Sequence, residues 1–183
     1  MIAHARRLSR ALKRFAGEKR GIAAVEFAML LPVMLTLFLG GVEVSTGAAI
    51  KRKVTLTART LADLTSQATS ISNADMSNIL NASTAIIAPY AASGLQTVVS
   101  ELAVNGAAVA TVVWSSTLNG TAHAVGDTVS VPTSLAVPNT YLLLGEAQYT
   151  YNPPYGYVVT GPLTLSDQMF MRPRQSNSIA RTS

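Results

Sequence analysis

The chain has 183 residues, 49% hydrophobic and only 13% charged; this length allows one modest domain plus an appendage, and the composition can bury a core. Its net charge of +5 is unevenly placed: positions 1–21 hold seven Lys/Arg against one Glu, 22–43 hold two Glu and no base, and 44–183 hold seven bases against six acids. The basic character therefore belongs to the leader, which argues against a nucleic-acid partner for the body, and the lack of cysteine excludes disulfides, thiolate metal sites and a cysteine nucleophile.

Residues 1–21 form a basic leader with Arg6, Arg7, Arg10, Lys13, Arg14, Lys19 and Arg20. Leu8, Leu12 and Phe15 fall at helical spacing among these bases. The leader is either a short amphipathic helix on an anionic leaflet or a plain solvated segment.

Residues 22–43 are predicted to span a membrane. The run IAAVEFAMLLPVMLTLFLGGV carries a single charge, Glu26. Its length corresponds to about 31 Å of helix, close to the hydrocarbon thickness of a bilayer. A buried core helix would show a polar stripe, and this run has none. The cluster beyond it, Lys51 to Lys53, is weaker than the leader. The positive-inside bias then puts the N-terminus in the cytoplasm and the bulk outside. A cleaved secretory signal is the alternative, with Gly47 and Ala49 as small residues near a cut. Such signals have an apolar region of about 7–15 residues, and this one is longer and contains Glu26 and Pro32.

A carboxylate at the centre of a membrane helix costs about 2.5–3.5 kcal/mol on insertion scales, and less near an end. Glu26 sits one turn inside. One reading has it snorkel to the interface and pair with Lys19 or Arg20. In the other, cleavage after Gly21 makes Ile22 the new N-terminus. Its α-ammonium then meets Glu26 of a neighbouring subunit and sets the axial register, with Phe27 at the same level. Buried polar pairs serve as register devices elsewhere.

The order of basic leader, Gly21, four small or apolar residues, Glu26 and Phe27 resembles the processing site of type IV prepilins. The fuller run GIAAVEFAMLLPVMLTLFLGGVEVSTGAAIKRKVTLTARTLAD, to Asp63, resembles the TadE-like family of tight-adherence (Flp, type IVb) pilus assembly proteins. The match is most specific at Gly21, Ala24, Val25, Glu26, Phe27, Ala28 and Pro32. VVWSSTLNG, YTYNPP and MRPR also resemble family members, less diagnostically. The resemblance implies a single-pass minor pseudopilin of the bacterial inner membrane, with its N-terminus cytoplasmic and its head periplasmic or extracellular. It implies a prepilin peptidase that removes the leader after Gly21, and other pilin and pilus-assembly subunits as partners. The family's cleavage glycine carries over to Gly21 and its glutamate to Glu26. Pro32 lacks an N–H and clashes with the carbonyl of Ala28, so it is predicted to kink the helix. Neighbouring helices in a membrane tolerate this.

Residues 44–70 continue as an amphipathic stalk. Ile50, Val54, Thr57, Leu61, Leu64, Ala68 and Ile71 alternate at spacings of four and three, one face of a helix. Residues 71–183 form the head. Ser72 and Asp75 have the form of a capping box opening a second helix, with Met76, Ile79, Leu80, Ser83 and Ile87 as its core face and Pro89 as its stop. From Leu95 the period changes toward two. LQTVVSELAV and AVATVVWS flank Asn105–Gly106, a strong hairpin signal. Gly126–Asp127 opens another turn. In LLLGEAQYTY, Glu146, Gln148 and Thr150 alternate with Ala147, Tyr149 and Tyr151, which predicts one wet face and one buried face. LTLSDQMFM is the final expected strand. Trp114 is assigned to the core. YNPPYGY is a proline-aromatic loop, either a subunit contact or a loop folded on the sheet edge. QSNSIARTS is expected to fray. The fold class is therefore α+β: a long transmembrane and stalk helix, a small helix and an antiparallel sheet of four or five strands.

Catalytic motifs are missing from the sequence. His4 and His123 are the only histidines, and the ectodomain carboxylates Asp63, Asp75, Glu101, Asp127, Glu146 and Asp167 are scattered singly. No phosphate loop or nucleophile elbow occurs. The chain is expected to be no enzyme and to carry no cofactor or metal. A pilus assembly subunit is the leading reading. An uncleaved single-pass anchor whose head binds a partner outside the membrane is the alternative.

Overall fold

The structure, a computed structural model, describes residues 19–154, 156 and 160–182. The leader before Lys19 lies outside the described residues, as do Tyr155 and Tyr157 of the proline-aromatic loop and the side chains of Lys19 and Arg20. Among the described residues the architecture is α+β, with two α-helices on one face of an antiparallel sheet.

Helix α1 covers Lys19–Ser66 and continues through Pro32. Its contact with the rest of the chain begins at Gly40 and Glu43 and continues through Gly47, Ile50, Val54, Ala58, Leu61 and Ala62. The predicted stripe holds through Leu61 and then slips. Leu64 is 37% exposed, while Thr65 and Ser66 are fully buried. A strict 3.5-residue repeat drifts by about 20° per heptad on a 3.6-residue helix, so the buried line moves one position on. The helix closes at Ser66, whose carbonyl accepts the Arg174 N–H at 2.9 Å.

Strand β1 (Ser70–Ile71) follows, then helix α2 (Asn73–Ile87). The capping box is present: Ser72 Oγ accepts the Asp75 N–H and the Asp75 carboxylate accepts the Ser72 N–H, both at 3.2 Å. The Ser72 hydroxyl also donates to the Asp75 carboxylate at 2.6 Å, and this bond, with the one from the Ser72 N–H, holds the Asp75 carboxyl below its ordinary value. Met76, Leu80, Ser83 and Ile87 are buried, spaced as one helix face.

The main sheet comprises β2 (Leu95–Val104), β3 (Ala110–Leu118), β4 (Thr128–Val129), β5 (Thr140–Tyr151) and β6 (Leu163–Met171), in the order β4-β3-β2-β5-β6. All its pairings are antiparallel. The β2–β3 hairpin forms where Asn105–Gly106 signalled it, but with a longer loop. Ala108, at φ 59°, takes the left-handed position, and Asn105 Oδ1 accepts the N–H groups of Ala107 and Val109. The asparagine side chain therefore closes the loop. On β5 the alternation holds: Ala147, Tyr149 and Tyr151 are buried, whereas Glu146, Gln148 and Thr150 are half-buried.

Odd-numbered residues of β5 face the helices. The packing is closest at Gly145, where an added Cβ would lie 2.5 Å from the carbonyl oxygen of Ala58 and 3.1 Å from the Ala62 side chain. Two apolar clusters fill the helix side. One joins Ile50, Val54 and Ala58 to Leu95, Ala147 and Tyr149, and the other joins Leu61 to Met76, Val99, Trp114 and Leu143. A third lies on the opposite face, where Leu102, Val112, Leu142 and Leu144 pack under Val131 and Leu135.

The tail does not fray as the sequence suggested. Strand β7 (Ala180–Arg181) pairs in parallel with β1. Just before it, Ile179 is 1% exposed. Its N–H donates to Glu101 Oε1 at 2.6 Å, and its carbonyl accepts the Trp114 indole N–H at 2.9 Å. The same indole N–H also donates to Glu101 Oε2 at 2.9 Å. Arg181 lies 5.6 Å from the Trp114 ring centre and donates to Asn73 Oδ1 and the Ser72 carbonyl. A polar composition hid this segment because a single large apolar residue, Ile179, supplies the anchor.

Burial pushes the Glu101 carboxyl above its ordinary 4.5, and the bonds from Ile179 and Trp114 pull it partly back. A native carboxyl that binds its proton more tightly than the unfolded one contributes fully below about pH 4.5; that contribution is lost as pH rises through its native value. Asp75 and Asp167 are shifted the other way, below an ordinary 3.8, and do not titrate in that window. Urea unfolding of wild type and Glu101→Gln in detergent, compared from about pH 4 to 7, should show the wild-type advantage shrinking as pH rises. Parallel profiles would mean that Glu101 does not carry the pH term.

Candidate functional site

The exposed stretch of α1 is where the predicted site residues fall. Residues 21–38 make no burying contact with the head. Phe27, Met29, Leu35 and Leu37 point to four different sides of the helix and are 60%, 73%, 49% and 71% exposed. A helix apolar all round requires a surrounding of apolar matter, a large core or a lipid bilayer. The mean hydropathy of its most apolar window is 2.3. The exposed run has about 27 Å of helical rise, close to the hydrocarbon of a bilayer. One apolar helix near the N-terminus is thus long enough to serve as a membrane anchor.

Gly21 is exposed, and an added Cβ there would meet nothing within 4 Å. Ile22 is 61% exposed, and Glu26 lies one turn further on, also exposed. Positions four apart share a helix face. Helical Cα–Cβ bonds tilt toward the N-terminus, so the Glu26 carboxylate reaches back toward the level of Ile22. Pro32 lies inside the run. Thr36 Oγ1 donates to the Pro32 carbonyl at 2.8 Å, so this hydroxyl is satisfied within the helix. Glu43, the second acid of the segment, is 1% exposed and sits where α1 first meets the head.

Above Glu43 the helix is fixed to the sheet by polar contacts as well as packing. Lys51 Nζ lies 3.2 Å from Asp167 on β6, and Thr55 Oγ1 donates to the same carboxylate. The Thr55 bond is the main cause that lowers the Asp167 carboxyl, and Lys51 adds to it. Lys53 donates to the Ile86 carbonyl at the end of α2, and Arg174 pairs with Asp63. The basic cluster of Lys51 and Lys53 is therefore partly occupied in holding the head.

A second feature escaped sequence reading. His123 has Nε2 2.6 Å from Glu146 Oε2 on β5. The two are 23 positions apart, and no local pattern links them. Their site on the outer face of the sheet is a concavity of about 530 Å3. Among the described residues no group of three or more His, Cys, Asp or Glu is arranged to hold a metal ion.

Residues 21–63 match the family model described as TadE-like protein. The matched segment is the exposed run together with most of the docked part of α1; the strands of the head lie outside it. No curated protein and no solved structure matched the chain.

A cation in the exposed run tests its surroundings. Arginine at the centre of a membrane helix costs about 2.5–3.5 kcal/mol on insertion scales. Leu35→Arg is therefore expected to shift a large share of the protein from the carbonate-resistant membrane fraction to the extractable one. Unchanged fractionation would show that lipid does not surround this part of α1.

Proposed function

We propose that this chain is a membrane-anchored subunit of a tight-adherence pilus system, acting as a minor pseudopilin in pilus assembly. The observation that carries the reading is the coincidence of the TadE-like match, residues 21–63, with one helix that is apolar all round below and docked on a head above. In this reading the helix crosses the bacterial inner membrane once, and the head lies in the periplasm or outside the cell. Its role is binding and assembly and involves no catalysis.

A prepilin peptidase removes the basic leader after Gly21. The freed α-ammonium of Ile22 then lies near the level reached by a neighbour's Glu26 carboxylate. Pairing neutralises both charges in a medium where each alone is costly. Phe27, beside Glu26, packs at that same level, and Pro32 shapes the helix for its neighbours. Other pilin and pilus-assembly subunits are the partners.

A specific observation favours the competing reading, an uncut single-pass anchor whose head binds a partner. Helix α1 runs without interruption through the Gly21–Ile22 bond. A helical peptide must open locally before a protease can cut it.

N-terminal sequencing of membrane-extracted protein separates the two. A mature chain starting at Ile22, with Gly21→Ala accumulating at precursor mass, is the expected result; the same mature product in the variant would refute the cut site. Glu26→Ala should leave membrane insertion intact and reduce recovery of the protein with assembled pili. Loss of insertion itself would remove the case for pairing.

A further inference from the structure

The helices cover one face of the sheet, and the outer face carries the concavity beside His123. Its floor is a grid of side chains on three adjacent strands. Gln96 on β2 is in register with Gln148 on β5, and Glu146 on β5 with Gln168 on β6. Thr121 and His123 wall one side. The His123–Glu146 bond fixes the orientation of the carboxylate. The His123 N–H in turn donates to Ser115 Oγ at 3.2 Å, which ties the wall to β3.

The chemistry of this grid narrows what it can hold. Each glutamine amide both donates and accepts, and Glu146 adds an acceptor. No lysine or arginine lines the site among the described residues, so an anionic ligand finds no counter-charge. Val98 and Ala147 also line the site, but a ligand without hydrogen-bonding groups would leave its three amides and the Glu146 carboxylate unmatched. An extended peptide is recognised by backbone pairing at a sheet edge, whereas this floor is made of side chains on a sheet face. Neighbouring strands lie about 4.8 Å apart and same-face residues about 6.7 Å apart along a strand. Groups set this far apart can each engage a different hydroxyl of one sugar molecule.

We propose that this outer-face site binds a neutral saccharide. The site lies on the face opposite α1, so the proposal stands apart from the assembly reading and holds whether or not the leader is cut.

The test uses the full chain in lipid nanodiscs, free of sugar-headed detergent. Saturation-transfer NMR is run with galactose, mannose and N-acetylglucosamine, and with glucuronate and an alanine-rich peptide as controls. Saturable transfer to at least one neutral sugar is expected. Gln148→Ala and Gln168→Ala should each weaken it about tenfold, the loss of one or two hydrogen bonds, with unchanged unfolding midpoints. If Gln148→Ala does not fold, Gln168→Ala on the edge strand β6 decides alone. The proposal is overturned by absence of saturable transfer from every neutral sugar. It is equally overturned by transfer that the folded variants leave unchanged, or by binding of only glucuronate or the peptide.

Discussion

The close approach of α1 to β5 at Gly145 is the constraint on which the rest of the molecule depends. The Ala58 carbonyl occupies the space that any side chain at that position would need. At this separation Ile50, Val54 and Leu61 reach across to the strand residues and exclude water, which is where apolar burial gains most of its free energy. The contact also sets what the lower helix can do. The exposed run and the docked run belong to a single helix, so the position of the head follows from the position of the apolar segment. Lys51, Thr55 and Asp167 hold the helix in the same place by polar means.

A second constraint works at the other end of the core. Glu101 is a buried acid, and no basic side chain pairs with it among the described residues. It is held by two neutral donors, the Ile179 N–H and the Trp114 indole. Losing either donor would leave a buried acceptor unmatched, a cost of about 1–3 kcal/mol. The arrangement brings β7 against β1, and Arg181 then covers the Trp114 ring and binds the loop that opens α2. Packing and hydrogen bonding thus fix the same segment by independent routes.

Features governed by neighbours in sequence were legible from sequence. The capping box at Ser72 and Asp75 spans three residues, and the alternation on β5 repeats every two. The all-round apolar character of residues 22–38 needs no tertiary knowledge, and the TadE-like resemblance carried by Gly21, Glu26, Phe27 and Pro32 is supported by the family match over residues 21–63. Where the reading failed, distance along the chain was the reason. Leu64 was misplaced because a small angular drift accumulates over several turns. The tail reads as loose because Ile179 and Ala180 among polar residues give no periodic signal, and the partners of Ile179 are Glu101 and Trp114. The outer-face site joins three strands and a loop, so nothing short in the sequence announces it. The leader cut at Gly21 and the role of Glu26 rest on resemblance and on charge in an apolar medium, not on a contact within one chain.

Chain growth imposes an order on these contacts. The ribosome finishes α1 before any strand of the main sheet exists, and the strands it packs against, β5 and β6, begin 74 and 97 residues after Ser66. Glu101 waits through a further 78 residues for Ile179. Synthesis runs at about 5–20 residues per second, so an early acid and a half-covered helix persist for several seconds in any nascent copy. Closure of the core is thus a late event of biogenesis, and a chain cut short before position 179 lacks the N–H that closes on its central carboxylate.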